Sequence, residues 1–104
     1  MSQEINIRSK LEEAKYEAER IGSMLGVEVG ADIHEDPRLE LFIYPRHDYL
    51  LFLGFFVRGD EKGFVIHWTV EDYNGVAVGE WHEFIIVFRR ELARFLKVWQ
   101  SFYI

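Results

Sequence analysis

The sequence predicts an α+β domain: an N-terminal helix, an antiparallel meander of four to five strands and a C-terminal amphipathic helix. Three observations carry that prediction. Apolar residues recur at helical spacing over residues 9–25 and again from about Arg90 to Phe102. Between them lies a run rich in aromatic and β-branched residues, Tyr49 to Phe88. Two turn signals interrupt that run, Gly59-Asp60-Glu61-Lys62 and Asn74-Gly75, and the second has the composition of a type I′ hairpin turn.

In the first helix Leu11, Ala14, Ala18, Ile21 and Leu25 alternate at spacings of three and four. Ser9 is the expected N-cap with Glu12 at the capping-box position, and Gly26 the expected terminator. The stripe is narrow and holds two alanines, so the helix should pack closely along one seam, with its charged faces in water. Val27 to His34 reads as an edge-like strand, Glu35-Asp36-Pro37-Arg38 as a turn, and Leu39 to Tyr44 as a strand. Pro45-Arg46-His47-Asp48 turns the chain back into Tyr49. Three or four residues both suit that loop. The choice decides whether Phe42 and Tyr44, or Leu41 and Ile43, share a face with the next strand.

An Asn74-Gly75 turn sets Tyr73 opposite Val76, and counting onward pairs Thr69 with Glu80, Trp68 with Trp81 and His67 with His82. Ile66 then meets Glu83, and Val65 meets Phe84. A four-residue loop at Gly59–Lys62 pairs Arg58 with Gly63, Val57 with Phe64 and Phe55 with Ile66. Opposed residues share a face, so the sheet divides cleanly. Leu51, Leu53, Phe55, Val57, Phe64, Ile66, Trp68, Val70, Trp81, Ile85 and Val87 form a nearly all-apolar face for the helices to cover. Leu50, Phe52, Phe56, Arg58, Val65, His67, Thr69, Glu80, His82, Phe84, Ile86 and Phe88 form the other. In the last helix Leu92, Phe95, Leu96, Trp99 and Phe102 make one stripe, with Arg90, Arg94 and Lys97 away from it.

At 104 residues the chain has enough length for one core and not for two. Hydrophobic residues make up 49% and charged residues 29%, which is the balance of a folded globular chain. There is no cysteine, which excludes disulfides and thiolate metal sites. Gln3, Asn6, Asn74 and Gln100 are the only side-chain amides, a scarcity that hyperthermophile proteins share. Met1 to Arg20 is charged, without an apolar leader core, and no run is long enough to cross a membrane as a helix; a cytoplasmic location is expected. The net charge of −6 weighs against nucleic acid. Its distribution is uneven, however, because Arg89, Arg90, Arg94 and Lys97 face a single acid, Glu91, in the last helix.

No motif names a reaction. There is no Gly-rich phosphate loop, no HExxH and no hydroxyl in a nucleophile-elbow context, so neither an enzyme nor a cofactor is expected. His67 and His82, with Glu80 nearby, form a possible start of a metal site, but a third and fourth ligand in fixed register are missing, and no metal is expected. What remains is the second sheet face, more apolar than monomers usually expose. It implies self-association as a dimer or tetramer, or a ligand. Aromatics on an open sheet offer π-faces to single-stranded nucleic acid. On that reading Phe52, Phe56, His67, His82 and Phe84 stack bases, and Arg46, Arg58 and Arg90 touch phosphates. The alternative is a homo-oligomeric interaction module with no nucleic-acid ligand.

The small size, the charged first helix, the aromatic sheet and the closing segment Arg89-Arg90-Glu91-Leu92-Ala93-Arg94-Phe95-Leu96 resemble the archaeal single-stranded DNA-binding proteins related to ThermoDBP. The likeness covers the whole chain in layout and amino-acid usage. It implies an apolar and basic cleft, made by the sheet and its helices, that holds single-stranded DNA, in some relatives between subunits.

Overall fold

A computed structural model describes residues 6–43 and 53–102. The element order is α1 (Ile7–Leu25), β1 (Val29–His34), β2 (Arg38–Ile43), β3 (Leu53–Asp60), β4 (Gly63–Val70), β5 (Tyr73–Gly79), a single 3₁₀ turn (Trp81–Glu83) and α2 (Phe84–Ser101). The five strands are antiparallel and adjacent in chain order. This is the expected α+β layout. Residues 44–52, with Tyr44, Arg46, Leu50 and Phe52, lie outside the described residues, as do the assignments made for them.

Both helices lie on one face of the sheet. α1 packs over β1, β2 and β3, and α2 over β4 and β5. Leu11, Ala14, Ala18 and Gly22 form the buried seam of α1, so the two alanines do set a close approach. Asn6, not Ser9, caps the helix: its side chain accepts from the Ser9 backbone N–H at 3.0 Å. Gly26 ends it at φ 70°, a left-handed conformation that costs glycine nothing.

The covered sheet face is the expected one. Phe55, Val57, Phe64, Ile66, Trp68 and Val70 are buried together with Leu39, Leu41 and Ile43 from β2. Against them α2 lays Phe84, Val87, Phe88, Leu92, Phe95, Leu96 and Trp99. Rings meet edge to face, Phe55 with Phe95 at 5.2 Å and Phe64 with Phe84 at 5.0 Å between centroids. Burying each such side chain contributes about 1.5–3 kcal/mol, so this layer holds the fold.

Three further sequence expectations are corrected. The hairpin between β4 and β5 turns at Glu71-Asp72, with Glu71 at φ 52°, and not at Asn74-Gly75. Asn74 pairs with Thr69, Gly75 with Trp68, and Val76 with His67. Gly75 is required for a different reason: a Cβ there would fall on Nε1 and Cε2 of the Trp68 indole and within 2.7 Å of its Cζ2. The glycine is a seat for a tryptophan. Second, Asp60 accepts from the backbone N–H of Lys62 (2.8 Å) and Gly63 (3.3 Å), which tightens the β3–β4 loop to two residues. Asp60 thus pairs with Gly63, and Phe55 meets Trp68 rather than Ile66. A slip of two leaves every side chain on its face. Third, residues 81–89 are helical, so Trp81, His82 and Phe84 do not oppose Trp68, His67 and Val65. The helical spacing of Phe84, Val87, Phe88, Glu91 and Leu92 continues into the last stripe, and α2 starts where that spacing starts.

Candidate functional site

The face left uncovered by α1 and α2 is the place where ligand-binding chemistry collects. Side-chain alternation sends Arg38, Glu40 and Phe42 of β2, Phe56 and Arg58 of β3, Val65, His67 and Thr69 of β4, and Asn74, Val76 and Val78 of β5 to it. Cross-strand pairing arranges them in rows. Arg38 opposes Arg58, which opposes Val65, which opposes Val78. Glu40 opposes Phe56, then come His67 and Val76.

Large apolar side chains on this face meet water. Val76 is 63% exposed, Val78 69%, Phe56 37% and Phe42 36%. The Phe56 ring folds down over Gly54, where a Cβ would come within 2.7 Å of it. Beside the ring is a hollow of ≈ 400 Å³ lined by Arg38, Phe56, Arg58, Val65, His67 and Val76. Basic and apolar groups therefore share one concavity. Acids share this face: Asp32 opposes Glu40, Glu40 is 3.2 Å from His34 Nε2, and Asp60 stands two residues beyond Arg58 on β3.

Of the eight residues singled out in the sequence, the structure brings three together: Phe56, Arg58 and His67. Phe84 is 1% exposed and packs in the core between Phe64, Trp81 and Phe88. His82 stands on the 3₁₀ turn, 3.3 Å from Glu80, and not across from His67. Arg90 belongs to α2, in the layer behind the sheet, where its Nε donates to Glu91 at 3.2 Å. Phe52 and Arg46 lie outside the described residues. Sequence reasoning missed Arg38, Phe42, Val76 and Val78. For the two valines the hidden signal was the alternation Asn74-Val76-Val78 itself; for Arg38 it was the strand that begins there rather than after it.

Two carboxylates are held in charge networks. Glu91 has a side chain 1% exposed on the buried face of α2. It accepts from Trp68 Nε1 at 3.0 Å, from Arg94 at 3.1 and 3.2 Å, and from Arg90 at 3.2 Å. Burial pushes its pKa up, but the hydrogen bonds from Trp68, Arg90 and Arg94 outweigh that and hold it below the ordinary value. A carboxylate that accepts four hydrogen bonds from three side chains and has no access is a fastener, not a general acid. Glu17 of α1 binds Arg20 on its own helix and Arg89 of α2, at 2.9 Å from the latter, and both hydrogen bonds lower its pKa. Among the described residues no group of three His, Asp or Glu side chains is placed to hold a metal ion. No helix among them is long and apolar enough to cross a membrane.

Comparison with models of known protein families finds no match to this chain, and comparisons with curated proteins and with solved structures find none either.

Proposed function

We propose that the uncovered face binds single-stranded nucleic acid, with little sequence preference, as part of a cytoplasmic protein. The observation that carries this reading is the meeting of Phe56 and His67 with Arg38 and Arg58 around one hollow on a face that neither α1 nor α2 covers. Flat rings accept any base by stacking, worth about 1–3 kcal/mol per base, and guanidinium groups pair with phosphates. The reading agrees with what the resemblance to the ThermoDBP-related proteins implies. It needs no cofactor and no catalytic residue. The net charge of −6 opposes it, and Asp36, Glu40 and Asp60 all stand near the hollow, so the basic surface is local to Arg38 and Arg58.

Substitution checks it. Phe56→Ala should weaken binding of a labelled poly-dT oligomer about tenfold, from the loss of one stacking platform. Lys97→Ala, on the exposed side of α2, should leave it unchanged. Equal effects of the two, or no effect of Phe56→Ala, would remove the face from the argument.

A second reading, a homo-oligomer held through this sheet, has its own support. β5 is an edge strand, Tyr73–Gly79, free of charge and proline, with Val76 and Val78 both exposed. Natural edge strands usually carry a device against pairing, and this one has none in its sequence. Light scattering of the protein alone tests it: a dimer or tetramer supports association, a monomer at high concentration refutes it.

A further inference from the structure

We infer that Arg38 and Arg58 form a clamp for one phosphate group carried on a planar ring, as in a nucleotide, and this rests on reading the uncovered face as a nucleic-acid surface. Three observations converge on the pair. The first is register: Arg38 and Arg58 are direct partners across β2 and β3, both on the uncovered face. Like charges directly opposed in a sheet repel, and the arrangement persists at a cost that an anion between them removes.

The second is incomplete pairing. Among the described residues Arg38 has one ion-pair contact, Asp36 at 3.6 Å, and Arg58, although it shares a concavity with Asp36 and Asp60, forms none. The Nε of Arg38 is buried without a hydrogen-bond partner, an unusual state for a guanidinium donor. Nε and one terminal nitrogen make the flat two-pronged edge with which arginine grips an oxyanion. The Arg38 side chain is 42% exposed and lines the hollow.

The third is what surrounds the pair. The hollow that the two arginines line also has Phe56, Val65 and Val76 as apolar walls and His67 as a further polar group. An oxyanion alone would leave those walls in water. A phosphate with a base attached covers them, the phosphate between the guanidinium groups and the ring against Phe56 and the valines. Inorganic phosphate should therefore bind more weakly than a nucleotide does.

Arginine Nε–Hε NMR resonances of the full chain read the clamp directly. Titration with thymidine monophosphate should shift the Arg38 and Arg58 signals saturably, and inorganic phosphate should shift them less. Arg58→Met should abolish the Arg38 shift and weaken poly-dT binding about tenfold, with the log–log salt slope reduced by about 0.7. Arg58→Lys should keep the slope and still weaken binding, because it retains the charge and loses the fork. Without ligand, Arg58→Met should melt no lower than the wild type, since it relieves the repulsion. Unmoved arginine signals on nucleotide addition overturn the clamp. So does poly-dT binding of unchanged affinity and slope in Arg58→Met, although the nucleic-acid reading then survives. Nucleotide-induced shifts with no poly-dT binding have the opposite meaning: the clamp stands and the strand reading falls. Equal shifts with inorganic phosphate overturn the ring contact.

Discussion

Replacing Glu91 tests the physical account of this fold most severely, because one buried carboxylate ties the sheet to α2. Glu91→Gln preserves shape. The amide oxygen can still accept from Trp68 Nε1, but the amide nitrogen then faces the Arg90 and Arg94 donors that the carboxylate had accepted. Both arginine side chains are about 60% exposed and can turn to water, which softens the loss. The amide N–H groups have no such escape, and an unsatisfied buried polar group costs about 1–3 kcal/mol. We expect Glu91→Gln to cost that amount. Glu91→Ala also orphans the Trp68 indole N–H and opens a void between Trp68 and α2, so it should cost about 3–5 kcal/mol. A domain of this size has roughly 5–15 kcal/mol to lose, so the first variant folds and the second approaches the limit. Urea unfolding followed by tryptophan fluorescence measures both. In a double-mutant cycle, Trp68→Phe should show a coupling to Glu91 of at least about 0.5 kcal/mol. Glu91→Gln within about 0.5 kcal/mol of the wild type would refute the reasoning, as it would mean that the network is no better than solvent.

Further outcomes follow from the same structure. Glu91 and Glu17 both have folded-state pKa values below the ordinary glutamate value of 4.5. The unfolded chain therefore binds more protons, and the stability they contribute is complete above that value and lost as pH falls through the folded values. Glu91→Gln should flatten the acid limb of the stability–pH curve, and an unchanged limb would contradict this. Gly75→Ala should destabilise by about 1–3 kcal/mol, because Cβ and the Trp68 indole cannot share one place; chemical unfolding and a change in Trp68 fluorescence read it. Asn6→Ala should cost about 1 kcal/mol through the lost cap at Ser9, whereas Ser9→Ala should cost less than half of that by thermal melting.

The layout was legible in the sequence because two kinds of periodicity carry it. Alternation over Phe55–Val70 and helical spacing over Leu11–Ala18 and Leu92–Trp99 each point one face inward, and the structure buries those faces. Register was less legible, for physical reasons that particular residues show. A glycine permits a turn, but it also permits a tryptophan to lie on the backbone, and at Gly75 the second use prevails. Residues 81–88 have the aromatic and β-branched content of a strand. Their helical stripe was concealed because its continuation passes through Glu91, a charge at a core position. Glu91 is tolerable there only through Trp68 and the two arginines, a condition no local pattern reveals. That misreading placed His82 and Phe84 on the wrong surface. Phe56, Arg58 and His67 stayed together because both register errors in the sheet were shifts by an even number, which leave faces intact.

Whether the uncovered face is a nucleic-acid surface is decided most directly by fluorescence anisotropy of a labelled poly-dT oligomer at roughly 50 mM and 200 mM salt. We expect saturable binding that weakens with salt, with a log–log slope of about −0.7 for each phosphate held. Binding that is absent at the lower salt, or indifferent to salt, would contradict the proposal and leave the face to a second copy of the chain.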